Sequence, residues 1–408
     1  METHANELHS GHWVASWAGP IARHPAPQPI TGRTLRLRAT SSIAGHAIRI
    51  VVSNEYGTTP LRIGAASVAA ADTENTRPRP LQFAGEPGID IAVGATALST
   101  EVPVDVAAGQ TLYVNLFLPH ETLPASAVLL QAGLPPTHPL YVAQPDYPRV
   151  ELSGEGDFTD TTEFPDPTQL DHLPFLSRID VSAADGTGAI AVLGTTYTDG
   201  LEVWPDHLSR RLNSGDGRDQ RSVVNLSARG GSLSRGHKPS GREGVVTLFD
   251  REVLTLPGLT HVVVSEARQD ITTAGTLSLR ADGSVDSESG DESGELPVDA
   301  ASLTAAYRQL IAKAHARGVK VLGATMPPFR GVPAPGYYSD AKDELRETMN
   351  RWIAESGEFD AVIDIDGLVR DPEDPRQYRE EYRSPNMYGP NPAGHAAIAD
   401  AIDPALFR

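Results

Sequence analysis

The chain of 408 residues contains no cysteine, which excludes disulfide bonds, thiol catalysis and metal sites built on cysteine. Lysine is also scarce, since only Lys238, Lys313, Lys320 and Lys342 occur among the 34 basic residues. No apolar run approaches the length of a membrane-spanning helix. Residues 1–12 are polar and lack the basic and apolar regions of a secretory signal. We therefore expect a cytoplasmic protein, and no motif indicates a cofactor or a metal ion.

Positive charge is in short supply as well, because 53 acidic and 34 basic residues give a formal net charge of −19. This balance disfavours nucleic acids and anionic membranes as partners. We expect a solvated acidic surface, and a small molecule as the substrate or ligand. The length and the 39% content of hydrophobic residues suit two domains with separate cores.

The first 175 residues have the pattern of an antiparallel β-sandwich. Apolar residues alternate with period two in the segments 34–38, 47–54 and 110–118, and turn signals separate these segments. We therefore predict a β-sandwich domain over residues 13–175. Its last part, residues 151–175, is acidic and rich in proline. We expect that part to be a linker that crosses to the second domain or lies over its active site.

From about residue 178 strands and helices alternate, which predicts an α/β domain over residues 176–408. The acidic segment 280–297 is poor in apolar residues, and we predict a disordered loop there, with a calcium site as the weaker alternative. The predicted strands end at Leu193, Leu226, Ser265 and Thr325, and the predicted helices cover residues 201–213, 302–317, 340–356 and 393–402.

The most informative motif follows the first strand of this second domain. An apolar run ends in the Gly-rich turn GTTYTDG of residues 194–200, and a helix is predicted after Trp204. In α/β hydrolytic enzymes the nucleophile is exposed at such a turn between a strand and a helix. The turn resembles the first block of the SGNH (GDSL-type) hydrolases, GDSxTDG. Thr195 stands at the aspartate position of that block and Thr196 at the position of the nucleophilic serine.

Three later segments resemble further blocks of the same family, in the same order. Residues 223–231 resemble the second block, NxGxxG, with Ser227 at the oxyanion-hole glycine. Residues 261–270 resemble the third block, GxND, with Ala267 at its glycine and Gln269 at its oxyanion-binding asparagine. Residues 384–394 resemble the fifth block, DxxHPNxxG, with Asn386 at the triad aspartate and Gly389 at the triad histidine.

The resemblance implies a flavodoxin-like three-layer α/β domain of the SGNH-hydrolase type, with its site at the carboxyl ends of the strands. Residues 17–20 and 53–57 also resemble the N-terminal β-sandwich module of one branch of that family. The candidate catalytic residues are Thr196, Arg268 and Asn386. The candidate substrate-binding residues are Thr195, Tyr197, Ser227, Arg229, Gln269 and Tyr388.

Ordinary serine hydrolysis is not expected at such a site. Acyl transfer needs a hydroxyl, a base, and a group that orients the base. Thr196 keeps a hydroxyl, but its β-methyl restricts the side chain. Gly389 has no side chain and Asn386 carries no charge, so neither can replace its triad counterpart. Part of the oxyanion hole can remain, because Ser227 still has a backbone N–H and Gln269 a side-chain amide.

Other polar residues near the blocks leave alternatives open. Arg229 and Arg268 suit bidentate binding of a carboxylate or phosphate, and the alternative is that both point to solvent or pair with nearby carboxylates. Asp199 and Asp270 match the family pattern, and we expect structural roles for them. No histidine is expected to replace the missing base. His395 should pack within its helix, His207 should lie on an exposed helix surface, and His261 should be a polar residue at a strand edge.

Three functional interpretations follow. In the first, the chain is a non-hydrolytic enzyme that promotes cyclisation, isomerisation or elimination of a small molecule, such as an intermediate of secondary metabolism. In the second, it is a catalytically inactive binding or regulatory protein. In the third, it is an unconventional esterase or acyltransferase that uses Thr196 or Ser227. The polar character of the replacements favours the first, and the ligand should carry an anionic group if the arginines face it.

Overall fold

The computed structural model describes residues 11–71, 77–129, 150–194, 202–215, 220–228, 231–234, 242–273, 298–334 and 336–408. Within these residues a domain of antiparallel strands precedes an α/β domain built on a parallel sheet. This is the fold class that the sequence and the family resemblance predicted. The acidic segment 280–297 lies outside the described residues.

The strands of the first domain form two main antiparallel sheets and two small ones. Their bounds are β1 His12–Ala18, β2 Ile21–Arg23, β3 Arg33–Thr40, β4 Gly45–Ser53, β5 Leu61–Ile63, β6 Ala65–Ala70, β7 Arg79–Leu81, β8 Ile89–Ile91, β9 Thr96–Leu98, β10 Val102–Val106, β11 Thr111–Leu118, β12 Ser126–Leu129, β13 Val150–Glu155, β14 Thr168–Leu170, β15 His172–Pro174 and β16 Leu176–Ala183. The larger sheets have the orders β1-β16-β4-β10, with β9 beside β4, and β14-β13-β3-β11-β6-β7. The small sheets are β15-β12-β2 and β5-β8.

The alternating pattern of the sequence explains the core of this sandwich. Leu35 and Leu37 of β3 lie opposite Leu116 and Val114 of β11, and all four side chains are fully buried. Successive side chains of a strand point to opposite faces, so the period of two directs one row of apolar residues between the sheets. The strands predicted over residues 34–38, 47–54 and 110–118 are confirmed as β3, β4 and β11.

Residues 151–175 belong to the sandwich and are not the interdomain linker that their composition suggested. They contribute most of β13 and all of β14 and β15, and β13 pairs with β3. Arg36 holds the intervening loop, because its guanidinium donates to the carbonyls of Thr161 (2.9 Å) and Thr162 (2.8 Å) and lies 4.0 Å from the ring centre of Phe164. These tertiary contacts outweigh the local signal of proline and charge.

The start of the second domain was placed too early at residue 176. Strand β16 pairs with β1 and β4 of the antiparallel sheet. An apolar strand carries no local mark of the sheet that it joins, so the sequence pattern alone could not assign β16. The parallel sheet begins with the next strand, at Gly188.

The second domain has a five-stranded parallel sheet in the order β18-β17-β19-β20-β21, which is the flavodoxin-like order. The strands are β17 Gly188–Gly194, β18 Arg221–Asn225, β19 Leu259–Ser265, β20 Lys320–Ala324 and β21 Ala361–Ile363. The helices are α1 Trp204–Leu212, α2 Val245–Leu248, α3 Arg268–Thr273, α4 Ala300–His315, α5 Asp340–Glu355, α6 Ile365–Val369 and α7 Pro392–Ala401. A π-helical turn covers Phe249–Val253, and 3₁₀ turns cover Glu380–Tyr382 and Pro404–Phe407.

Alternate residues of the parallel strands pack against helices on opposite faces, which makes three layers. On one face Val192 packs in a cluster with Trp204 of α1 and Ile398 of α7. On the other face Leu193 belongs to a cluster that includes residues of α4 and α5. The four helices and four strand ends predicted from the sequence are confirmed, with bounds shifted by at most a few residues.

The first domain packs directly against the α/β domain. Ser222 Oγ in β18 donates to the carbonyl of Ala15 in β1 at 2.6 Å, and Val223 N–H donates to Ser42 Oγ at 2.8 Å. Tyr56 O–H donates to Glu243 at 2.5 Å. These contacts anchor the sandwich to the sheet that carries the candidate site. Searched over the described residues, no helix is both long and apolar enough to cross a membrane.

Candidate active site at the carboxyl edge of the parallel sheet

Segments aligned with the family blocks meet at the carboxyl edge of the parallel sheet. Gly194, the last residue of β17, pairs with Ser265, the last residue of β19. The carbonyl of Gly194 also accepts a hydrogen bond from Ala228 N–H at 3.0 Å. The ends of three neighbouring strands are therefore joined at Gly194. The candidate residues Thr195, Thr196, Tyr197 and Arg229 lie outside the described residues, as does Asp199.

Ser227 in the second block is buried next to this junction, with 3% of its surface exposed. Its backbone N–H donates to Asn225 Oδ1 at 3.1 Å, so the N–H that we expected to serve an oxyanion is bonded within its own turn. Its Oγ has no hydrogen-bond partner among the described residues. A buried hydroxyl without a partner is costly, which makes Ser227 a candidate for contact with a ligand.

In the third block, the residue that sequence analysis aligned with the family's glycine has a left-handed backbone conformation. Ala267 has a φ of +75°, in the left-handed region where an L-residue costs roughly 1–2 kcal/mol. Gln269 follows on α3 and is 5% exposed. The carboxylate of Asp270 accepts hydrogen bonds from Leu233 N–H (2.7 Å) and from the N–H (3.1 Å) and hydroxyl (2.7 Å) of Ser234. These bonds fix the loop after the second block and support the structural role expected for Asp270.

Arg268 is buried, so the alternative that its side chain points to solvent is wrong. Its Nη1 donates to the carbonyl of Tyr388 at 2.7 Å. The guanidinium carbon lies 5.8 Å from the ring centre of Phe329 and 6.0 Å from those of Tyr337 and Tyr388. Aromatic faces attract a cation. Arg268 thereby ties α3 to the loop of the fifth block and holds a positive charge among three rings.

The fifth block has the geometry of a turn rather than that of a catalytic dyad. Asn386 Oδ1 accepts hydrogen bonds from Ser384 Oγ (2.9 Å) and from Tyr388 N–H (3.1 Å), so the side chain at the triad aspartate position stabilises its own loop. Gly389, which sequence analysis aligned with the triad histidine, is buried and offers only backbone. Tyr388 itself packs against Tyr337, with ring centres 5.1 Å apart.

The residues of the fifth block that match the family have structural roles. Asn391 caps α7, because its Oδ1 accepts Gly394 N–H at 2.9 Å. A Cβ on Gly394 would lie 2.7 Å from Pro390 Cβ, which explains the glycine. His395 follows on α7, and its Nδ1 accepts Trp204 N–H at 3.3 Å. Burial lowers the pKa of His395 to about 4, so it is a neutral packing residue that caps α1.

His261 is a second neutral packing residue. It is 4% exposed, and its ring packs edge-on against Phe407 with centres 5.6 Å apart. Burial, followed by the charges of Lys320 and Arg221, lowers its pKa to about 4. The packing role predicted for His395 is confirmed. The prediction that His261 is a polar residue at a strand edge is wrong, because β19 lies inside the sheet and the His261 side chain is buried against Phe407.

Glu266 is the functional candidate that sequence analysis missed. It directly follows β19 and is 1% exposed, and its Oε2 has no hydrogen-bond partner among the described residues. Burial, followed by the negative charge of Asp270, raises the pKa of its carboxyl to about 8, against the opposing effect of Arg242. The available signal was an acidic residue immediately after the apolar run His261–Ser265, at the edge where such folds bind ligands.

One family model matches the part of the chain that contains the α/β domain. The model of the GDSL-like Lipase/Acylhydrolase family matches residues 182–397, just over half of the chain. No curated protein matches the chain. Among solved structures, a GDSL-like lipase from Bacteroides thetaiotaomicron is 14% identical with a TM-score of 0.37, and the match covers 53% of this chain and 87% of that one.

Two further solved structures show similarities of the same strength. A psychrotrophic esterase from Pseudoalteromonas sp. is 14% identical with a TM-score of 0.34, and the match covers 53% of this chain and 93% of that one. A family two carbohydrate esterase from Clostridium thermocellum, in complex with cellohexaose, is 10% identical with a TM-score of 0.36 over 95% of this chain and 96% of that one. These scores are low, and the assignment rests on the family model. The chain belongs to the GDSL-like lipase/acylhydrolase family.

Proposed function

We propose that this chain is a non-hydrolytic member of its family, an enzyme that rearranges a small molecule by moving a proton. Cyclisation, isomerisation and elimination are the reactions of this class. The observation that carries the proposal is the buried carboxyl of Glu266, whose pKa of about 8 keeps it protonated at neutral pH. It lies at the edge of the sheet where the family has its site.

Hydrolysis is disfavoured by the residues aligned with the triad. Asn386 uses its Oδ1 in a local turn, and Gly389 has no side chain to act as a base. Ser227 Oγ has no base bonded to it among the described residues, and a hydroxyl needs such a base to become a nucleophile. Loss of a triad costs on the order of 10⁶ in turnover. A serine-type mechanism at these positions would therefore be very slow.

Glu266 has the properties that proton transfer requires. A carboxyl that titrates near neutral pH can both deliver and take back a proton in one turnover. Ser265, which precedes Glu266, and Ala228, which follows Ser227, both contact Gly194. Glu266 and Ser227 therefore flank Gly194, the last residue of β17 and the residue that precedes Thr195 in the sequence. We assign proton transfer to Glu266 and a hydrogen bond to the ligand to Ser227.

The charge at this edge suggests the kind of ligand. Arg268 holds a buried positive charge one residue beyond Ala267, and a buried cation favours an anionic or strongly accepting group nearby. We therefore propose a small molecule with a carboxylate, an enolate-like oxygen or a phosphate. Arg268 acts on it through charge and through the position of the Tyr388 loop, to which it is bonded.

Mass spectrometry of a metabolite extract incubated with the purified protein tests the proposal. We expect a product of unchanged mass, or of a mass lowered by a small leaving molecule. The conversion should disappear in Glu266→Gln, which keeps the shape of the side chain and removes the acid. It should persist in Glu355→Gln, an exposed position on α5. A serine-directed phosphonate should label neither Thr196 nor Ser227.

The other outcomes contradict the proposal in different ways. Two products, an acid and an alcohol whose combined mass exceeds that of the substrate by one water, together with phosphonate labelling, indicate an unconventional esterase. Binding of a metabolite without conversion indicates a catalytically inactive binding protein. Conversion that is equal in Glu266→Gln and in the wild type removes Glu266 from the mechanism.

A further inference from the structure

His24, Asp171 and His172 form a cluster in the sandwich domain, outside the segments aligned with the family blocks. His24 directly follows β2, and His172 begins β15. Strands β2 and β15 pair with opposite sides of β12, so the small sheet β15-β12-β2 brings residues from distant parts of the sequence together. The two imidazole rings have centres 4.3 Å apart. One potential ligand atom from each of the three residues lies within 4.8 Å of the others.

We propose that this cluster binds one divalent transition-metal ion of the Zn²⁺, Ni²⁺ or Cu²⁺ class. Sequence analysis indicated no metal site, because the three residues form no motif with ligand spacing. Two imidazole ligands, one of them supported by a carboxylate, suit these ions, whereas Mg²⁺ and Ca²⁺ prefer ligand sets made of oxygen alone. Water would complete the coordination on the side of His24, which is only half-buried.

The orientation of His172 is the strongest support for this site. Its Nδ1 lies 2.9 Å from Asp171 Oδ1, so the carboxylate holds the proton on Nδ1 and leaves the lone pair on Nε2. The residue is 7% exposed, and Nε2 has no hydrogen-bond partner among the described residues. Histidines that ligate a metal through one nitrogen commonly donate the other N–H to a carboxylate. His172 already has this arrangement.

His24 supplies the second imidazole after a small adjustment. Its Nδ1 accepts Ala26 N–H at 3.1 Å, in an exposed hydrogen bond. Ligation through His24 Nε2 requires the other tautomer, which releases the Ala26 N–H to water. Ligand atoms around a tetrahedral ion are roughly 3.3 Å apart for metal–nitrogen bonds of about 2.0 Å. The two imidazole nitrogens therefore have to approach each other by only a short distance, and the half-buried His24 can move.

Binding of Zn²⁺ alone to the metal-free full-length protein tests the site. We expect His24→Gln to lose one equivalent of bound Zn²⁺ in equilibrium dialysis, and to lose the rise in melting temperature that Zn²⁺ causes in the wild type. Asp171→Asn should weaken the affinity about 10- to 100-fold, because it removes the charge that supports His172. The matched control is His46→Gln, since His46 is an exposed histidine with only an aspartate, Asp105, beside it.

The design separates a specific site from adventitious binding. Co²⁺ should give a visible d–d absorption band in the wild type and in His46→Gln, and not in His24→Gln. His24 is half-buried, so His24→Gln should fold even if the buried His172 does not tolerate substitution; circular dichroism checks this. Equal Zn²⁺ stoichiometry and affinity in the wild type and His24→Gln would overturn the proposal. Loss of the same equivalent in His46→Gln would also overturn it.

Discussion

The ends of β19 and β20 are neighbours in the parallel sheet, but their buried polar groups differ. After β20, Arg346 bonds to Asp343 and Asp366, each at 2.7 Å. Asn350 donates to the carbonyl of Met326 at 2.9 Å and accepts its N–H at 2.7 Å. In the loop after β19, Glu266 Oε2 has no hydrogen-bond partner among the described residues.

The comparison distinguishes buried polar groups that stabilise the fold from a buried acid that can exchange a proton. Buried polar groups in native proteins are nearly always hydrogen-bonded, since an unsatisfied group costs about 1–3 kcal/mol. The network around Arg346 meets this rule and joins α5 to the strand edge. Glu266 departs from this rule, because its Oε2 has no hydrogen-bond partner among the described residues. Its carboxyl avoids the cost of a buried charge by staying protonated, as its raised pKa of about 8 indicates. The proposed function gives this group a role in proton transfer, at the edge of the sheet where ligands bind in folds of this kind.

Removing Arg346 from the hydrogen-bonded network after β20 should have the largest effect on stability. Arg346→Ala leaves the buried carboxylate of Asp343 without its cation and removes one of the two arginines bonded to Asp366. Loss of one partner from a buried ion network costs about 3–5 kcal/mol. Urea denaturation should show this loss in the free energy of unfolding. Arg351→Ala, an exposed arginine on the same helix, is the control and should change little. A loss below about 1 kcal/mol in Arg346→Ala would show that the network is not structural.

The pH dependence of stability tests the protonation state of Glu266, after β19. The pKa of Glu266 is higher in the folded protein (about 8) than the ordinary value of 4.5, so the folded state binds more protons between these values. The free energy of unfolding should therefore fall as pH rises through this window and level off above pH 8, by on the order of 1 kcal/mol per pH unit. Glu266→Gln cannot ionise and should lack this contribution.

Denaturation of the wild type and Glu266→Gln at pH 5.5, 6.5 and 7.5 measures the difference. Other titrating groups contribute equally to both proteins, so only the gap between them is informative. The gap should widen in favour of the variant as pH rises. A constant gap would mean that Glu266 is ionised throughout, and the contrast between the two strand ends would then disappear.

The smallest expected effect concerns the strained turn beside Glu266. Ala267→Gly relieves left-handed strain of roughly 1–2 kcal/mol and loses a buried methyl of about 0.8 kcal/mol. The variant should therefore be neutral or more stable by up to about 1 kcal/mol. Ala312→Gly, at an exposed position within α4, should instead lose about 1 kcal/mol. Thermal denaturation of both variants checks the contrast, and an equal loss in both would argue against strain at Ala267.

Local patterns were sufficient for much of the fold. The period of two in residues 34–38 and 110–118, and the helical patterns before Gly318 and after Asn391, depend only on nearby residues, and the structure confirms them. The composition gave a wrong prediction for a segment whose partner strands are distant in the sequence. Residues 151–175 resembled a linker, but they form strands because β3 and β12 lie beside them.

The sequence by itself determined the family, since its blocks are short motifs that are recognised from neighbouring residues and from their order along the chain. It also named Arg268, Asn386 and Tyr388 as neighbours at one edge. Only the tertiary structure decided that Arg268 is enclosed by aromatic rings, that Glu266 is buried with a raised pKa, and that His24 meets His172. These properties depend on which distant groups surround a side chain and on how much water those groups exclude. Neither can be inferred from the neighbouring residues in the sequence.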